Sequence, residues 1–298
     1  MSKVFLRIAG LLLLALPCGA QAQPTAPDVV EAHPALWTVH SRNATAYMLG
    51  SIHLLPPNVH WQTPQVAAAM KSADVFVFEV PIGPDANKEI ADYVAQKGTL
   101  PQGVTLPSLL SPAQQADYDA ALKVTGANPA SVIDKRPWLA SLVFAVASAM
   151  HANYSLDSGV DHQVHLYADA HHDRIESFET VADQLALLAP KDQALEIKEF
   201  DIDLKEVVSE PDELNHLVEA WEHGNADRVA ELMNAALAAD PAAAKALLDD
   251  RNAKWIAELK TMLRQKHTYF ITVGAGHLSG PKGIPALLRA AGYRVDGP

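Results

Sequence analysis

Residues 74–80 read DVFVFEV, a run of β-branched and aromatic side chains with one acid near its end. A strand with one wet face alternates apolar and polar residues. This one does not alternate, so it must be buried on both faces. That condition belongs to a parallel sheet covered by helices above and below. The flanking chain agrees. Residues 36–40 and 46–49 read as two short strands, and Thr63-Pro64 opens a helix with Thr as N-cap and Pro in the first turn. Strand, helix and strand then form a βαβ unit, whose crossover is right-handed.

Further on, Ser111-Pro112-Ala113-Gln114 spells a capping box. Residues 138–150 are apolar on every side, which suits a central helix and is too short for a membrane span. Helix continues over 161–170, a short strand covers 174–178, and Thr180 with Asp183 caps the next helix. From 181 to 266 the pattern is helix after helix, broken near Pro190, Pro211, Gly224 and Pro241. Residues 269–273 form the final buried strand and 285–291 the final helix. The expected fold class is α/β: a mixed, largely parallel sheet flanked by helices. A large helical insert, about residues 100–265, separates the first and last strands of a single domain over 35–298.

The N-terminus has a different logic. Lys3 and Arg7 precede an apolar run over 8–16, and Ala20-Gln21-Ala22 is a small-x-small cleavage site. This reads as a signal peptide, residues 1–22, cut after Ala22, followed by a flexible leader over 23–34. The expected location is periplasmic or secreted. Cutting there removes Cys18, the sole cysteine, so the exported chain depends on its core with no disulfide. The charge balance is 23 Lys plus Arg against 35 acids, a net −12, and no basic cluster appears. Nucleic acid is therefore excluded as a partner. The mature chain is expected to carry no membrane span.

The common hydrolase and nucleotide signatures HExxH, GxSxG and GxxxxGK[ST] are absent. Gly274-Ala275-Gly276 resembles a dinucleotide turn, but the chain ends before the second strand and acid that such a site needs. A pair of matching strand ends is more informative. Tyr47-Met48-Leu49 leads into Gly50-Ser51-Ile52-His53, and Ile271-Thr272-Val273 leads into Gly274-Ala275-Gly276-His277. Each is a buried strand followed by G-x-x-H. Glycine is expected there to let the backbone leave the sheet with unusual φ and to permit close approach. The imidazoles would then land beyond the carboxyl ends of the strands, where open α/β sheets bind ligands. Glu79 ends a third strand and Glu179 follows a fourth. Two imidazoles and one or two carboxylates converging there would hold a divalent metal with room for water. The other eleven histidines lack this context and read as surface or packing residues, and Trp138 and Trp255 read as core anchors.

Several segments together resemble the TraB/GumN family. They are LGSIHLLPP at 49–57, VFEV around Glu79, RPWLAS at 136–141 and GVD at 159–161, then SFET with Glu179, RNAKW at 251–255 and VGAGHLSGPKGIPALL at 273–288. That family is related to the Tiki metalloproteases and, more distantly, to erythromycin esterase-like and ChaN-like proteins. The resemblance implies a metal-dependent hydrolytic core, with peptide-bond cleavage in Tiki-like members supported by manganese or cobalt; zinc is a further candidate. Carried over, His53, Glu79 and His277 would be the metal site, and Glu179, Arg251 and Asn252 further polar positions of the reaction. Phe178 stands where the family usually has leucine before its second acid. Arg251 would either pair with a carboxylate or stabilise an oxyanion. Whichever of Glu79 and Glu179 is not a ligand would serve as general base. The expected activity is thus an exported divalent-metal-dependent hydrolase acting on a peptide or small-molecule substrate. The alternatives are a non-catalytic accessory protein for a metal, haem or polysaccharide, and a metal-independent esterase with a histidine base.

Overall fold

A computed structural model describes residues 28–189, 192–210, 212–238 and 240–298. The segment expected to be a signal peptide and the expected helix breaks at Pro190 and Pro211 lie outside the described residues. Among the described residues there are eight strands: β1 (Val30–Glu31), β2 (Leu36–His40), β3 (Thr45–Ser51), β4 (Val59–His60), β5 (Val75–Phe78), β6 (Arg174–Ser177), β7 (Thr268–Gly274) and β8 (Arg294–Asp296). Six of them form the main sheet in the order β6-β5-β7-β3-β2-β8. Strands β6, β5, β7 and β3 are parallel neighbours, while β2 runs against both β3 and β8. The sheet is largely parallel, helices flank it, and the helical stretch between β5 and β7 is interrupted only by β6.

All four residues of β5 are buried, as a two-faced strand requires. Phe76 and Phe78 face one core with Leu49, Phe270, Val160 and Val164. Val75 and Val77 face the other with Met48, Ile271, Val273, Trp255 and Leu288. Burying a large apolar side chain contributes about 1.5–3 kcal/mol, so a strand that contributes to both cores anchors the sheet twice. The helix Pro64–Ser72 starts where Thr63 accepts a hydrogen bond from the Val66 N–H. In the helical region, Pro137–His151 is buried along most of its length and packs Phe144 against Tyr118 and Phe200, with ring centroids 5.6 and 6.1 Å apart. No described helix is long and apolar enough to cross a membrane.

Three local expectations change. Part of the stretch read as leader is structured: β1 pairs with β4 and Ala32 is buried, because backbone pairing and a small apolar side chain hold it down. The chain also adds β8 after its last helix, Ile284–Ala290; β8 pairs with β2, closing that edge of the sheet. Finally, neither Gly50 nor Gly274 has positive φ. A Cβ on Gly50 would lie 3.0 Å from the Ala275 Cα. The glycine is there for close packing of the two G-x-x-H turns, and unusual φ plays no part.

Candidate active site

The carboxyl ends of the four parallel strands point the same way, and each delivers one of the expected side chains. Along the sheet these are Glu179 after β6, Glu79 after β5, His277 after β7 and His53 after β3. All four are buried, as are Arg251 and Asn252 on the helix Asp250–Met262. A π-helical turn, Lys245–Asp249, precedes that helix, a distortion often found beside functional sites.

Arg251 is the hub. Its Nε lies 2.9 and 3.2 Å from the two oxygens of Glu179, and Nη2 donates to Glu79 Oε2 at 2.6 Å and Glu179 Oε2 at 3.0 Å. Nη1 donates to the Leu247 carbonyl at 3.2 Å and to His277 Nε2 at 2.9 Å. A guanidinium has five N–H groups, and here each has an acceptor. Of the two roles expected for Arg251, this arrangement serves carboxylate pairing, and no N–H is left for an oxyanion. Trp255 completes the hub. Its indole N–H donates to Glu179 Oε1 at 3.0 Å, and its ring lies 4.7 Å from the guanidinium carbon. Both oxygens of Glu179 are thus taken in holding Arg251, which leaves Glu79 as the acid facing the pocket described below.

The tautomer of His277 follows from its neighbours. The Asn252 side-chain amide donates to the carbonyls of His277 and Lys282 at 3.4 and 3.0 Å, so its oxygen faces His277 Nδ1 at 2.7 Å. Nδ1 therefore carries the proton, and Nε2 offers a lone pair to Arg251. Burial pushes the pKa of His277 down to about 3; Glu79 opposes this, while Arg251 reinforces it. The ring is neutral. Glu79 accepts from the Gly274 N–H at 2.6 Å and from Gln184 at 3.1 Å, in addition to Arg251. Burial would raise its pKa, but Arg251 first and the two histidines next hold it below the usual carboxylate range.

His53 belongs to a second network. Its Nδ1 sits 2.7 Å from Asp161 Oδ1, and Ser51 donates its hydroxyl to the same oxygen. Burial penalises the charged imidazole, yet Asp161, with help from Glu79, outweighs that and raises its pKa. Asp161 would itself be raised by burial, but His53 and Ser51 draw it below its ordinary value. His53 Nε2 is buried with no hydrogen-bond partner among the described residues. His53 lines a pocket with about 20 Å³ of room for water, together with Ser51, Glu79, Asp161, Thr272 and the loop Val80, Pro81 and Ile82. That suffices for a water molecule.

The six expected site residues thus fall into two hydrogen-bonded groups at the carboxyl edge of the sheet, and of the six His53 and Glu79 line the pocket. Sequence reasoning missed Asp161, Ser51, Gln184 and the polar role of Trp255. Asp161 had a signal in GVD. Gly159 carries no Cβ, and one added there would lie 2.1 Å from the His53 carbonyl oxygen, so only glycine lets the helix Val160–His171 start against the first G-x-x-H turn. His165, read as lacking context, packs its ring 5.9 Å from that of Phe78 beside this pocket.

The described residues thus define an α/β protein with buried acids and histidines gathered at the carboxyl edge of a largely parallel sheet. The sequence pattern of the TraB/PrgY/gumN family matches residues 35–297, nearly the whole chain, and the protein belongs to that family. No curated protein and no solved structure matches it.

Proposed function

We propose that this protein is an exported hydrolase that activates water at His53. One observation carries the reading: His53, whose buried Nε2 has no partner among the described residues, lines a pocket of water size. The hydrogen bond on the other side of the ring supports it. A carboxylate on Nδ1 fixes the ring and leaves Nε2 as the reactive lone pair. Asp161 supplies that carboxylate.

The divalent ion implied by family resemblance is part of this proposal. Of its expected ligands, His53 Nε2 fits, and Glu79 Oε1 fits because it accepts from the Gly274 N–H and leaves a second lone pair for an ion. His277 does not fit in this arrangement, since both its nitrogens are engaged by Asn252 and Arg251. Among the described residues no three His, Cys, Asp or Glu side chains form a set that could hold an ion. His53 and Glu79 are the two expected ligands left to hold manganese, cobalt or zinc, and the ion would supply Lewis acidity and a more acidic bound water. Peptide bonds are the proposed substrate class, by resemblance to the Tiki-like members. A second reading, a metal-independent esterase, is favoured by Arg251, which already pairs with both Glu79 and Glu179. In it His53 takes the proton from water directly.

The test is elemental analysis of the exported protein, followed by peptide-library and ester panels with and without chelator. The metal-dependent hydrolase binds about one ion per chain and loses turnover to chelator. A metal-independent esterase ignores chelator. In either case His53→Ala abolishes turnover, and a variant as active as wild type overturns the proposal. An accessory protein turns nothing over. The intact mass of the exported chain should correspond to a start at Gln23.

A further inference from the structure

Thr272 is the second orphan of the same pocket. Its hydroxyl is buried, and Oγ1 has no hydrogen-bond partner among the described residues. The strand register explains why. Thr272 lies level with Leu49 of β3 on one side and Phe78 of β5 on the other, and both are fully buried apolar residues. Neither neighbour along the sheet can accept or donate. Thr272 and His53 line the same pocket, a space beside both residues that can supply a polar partner. A buried hydroxyl without a partner is destabilising, and valine would fill the same volume in a strand at no such cost. Two orphans on one small pocket need a common occupant. A buried water takes two to four polar partners, and the space here has room for one.

We propose that Thr272 is a water-binding residue of the reaction centre: its hydroxyl and His53 Nε2 hold the same water molecule between them. The water donates one hydrogen to Nε2, and Thr272 fixes the direction of the rest of the molecule. This leaves a lone pair of the water directed away from both residues. The inference rests on the proposed role of His53, but its test does not depend on turnover.

The test compares crystal structures of the metal-free wild type, Thr272→Val and Thr272→Ser, and the kinetics of the same three proteins as purified. The expected result is an ordered water within hydrogen-bond distance of both His53 Nε2 and Thr272 Oγ1 in the wild type. Thr272→Ser retains it; Thr272→Val loses it while the His53–Asp161 contact stays as it was. On any substrate that the panels identify, Thr272→Val lowers kcat about tenfold or more with little change in KM, and Thr272→Ser restores most of it. A wild-type pocket without the bridging water, or a water that stays in place in Thr272→Val, overturns the proposal. If the bridging water is present but the panels give no turnover, the hydrolase reading fails and the water-binding assignment stands.

Discussion

His277 shows how far surroundings can move a single residue. Its folded pKa is pushed down to about 3, whereas an unfolded histidine titrates near 6.5. Between those values the unfolded chain binds the extra proton. The stability tied to the neutral ring is therefore complete above pH 6.5 and is lost as pH falls from 6.5 toward 3. The slope is about 1.4 kcal/mol per pH unit. His53 has the opposite sign. Its raised pKa contributes stability that is already complete below 6.5 and disappears as pH rises through its folded value, so it does not mask the effect. Urea midpoints measured from pH 6.5 to 5 on chelator-treated protein should fall along this slope. His277→Gln, which can keep both hydrogen bonds without titrating, should flatten the curve; an equally steep curve in that variant would assign the acid sensitivity elsewhere.

At the scale of elements, the site is made by two helices brought against strand ends. The helix Asp250–Met262 is pinned by Arg251 to Glu79 and Glu179, a buried network whose charges are satisfied only together. The helix Val160–His171 is pinned differently. Its Val160 N–H donates to the Ile52 carbonyl at 3.1 Å, and Gly159 allows the close approach. Gly159→Ala would set a methyl group against the His53 carbonyl and force the helix back. The expected cost is about 1–3 kcal/mol, from the overpacking alone. Asp161 would also draw away from His53, and the ring's pKa, followed by NMR, should drop toward or below its ordinary value. If the variant melts like wild type and the His53 titration does not move, the helix start does not set the Asp161–His53 contact.

For the whole molecule, the last long strand is the centre of the sheet. β7 is inserted between β3 and β5, so the two halves of the parallel sheet meet only when the C-terminal segment arrives. Pro298 also reaches back to β2, where the Trp37 indole donates to its carbonyl at 2.7 Å. Phe270 in β7 is fully buried, with its ring 5.8 Å from that of Phe76. Phe270→Ala should destabilise the protein by about 3–5 kcal/mol. Leu166→Ala, at a side chain 47% exposed, should cost no more than about 0.5 kcal/mol. Chemical unfolding of both variants checks the contrast, and similar losses would mean that β7 is not the keystone.

What the sequence determined by itself was whatever depends on near neighbours along the chain. The apolar run of β5 could be read as buried on both faces, Thr63 and Ser111 as helix caps, and the two glycine-led turns as the place where His53 and His277 leave the sheet. Glu79 and Glu179 stood out because an acid at the end of an apolar strand needs a partner. Which partner each one takes is a matter of approach through space, and only the tertiary structure decided it. Arg251 enters from a helix far along the chain and engages Glu79, Glu179 and His277 at once. Asp161 reaches His53 because a missing Cβ lets two backbones touch. Thr272 faces the pocket with no partner because the strands on either side place Leu49 and Phe78 beside it. Hydrogen bonds act over about 3 Å, so residues distant in sequence become a site only after packing has set those distances.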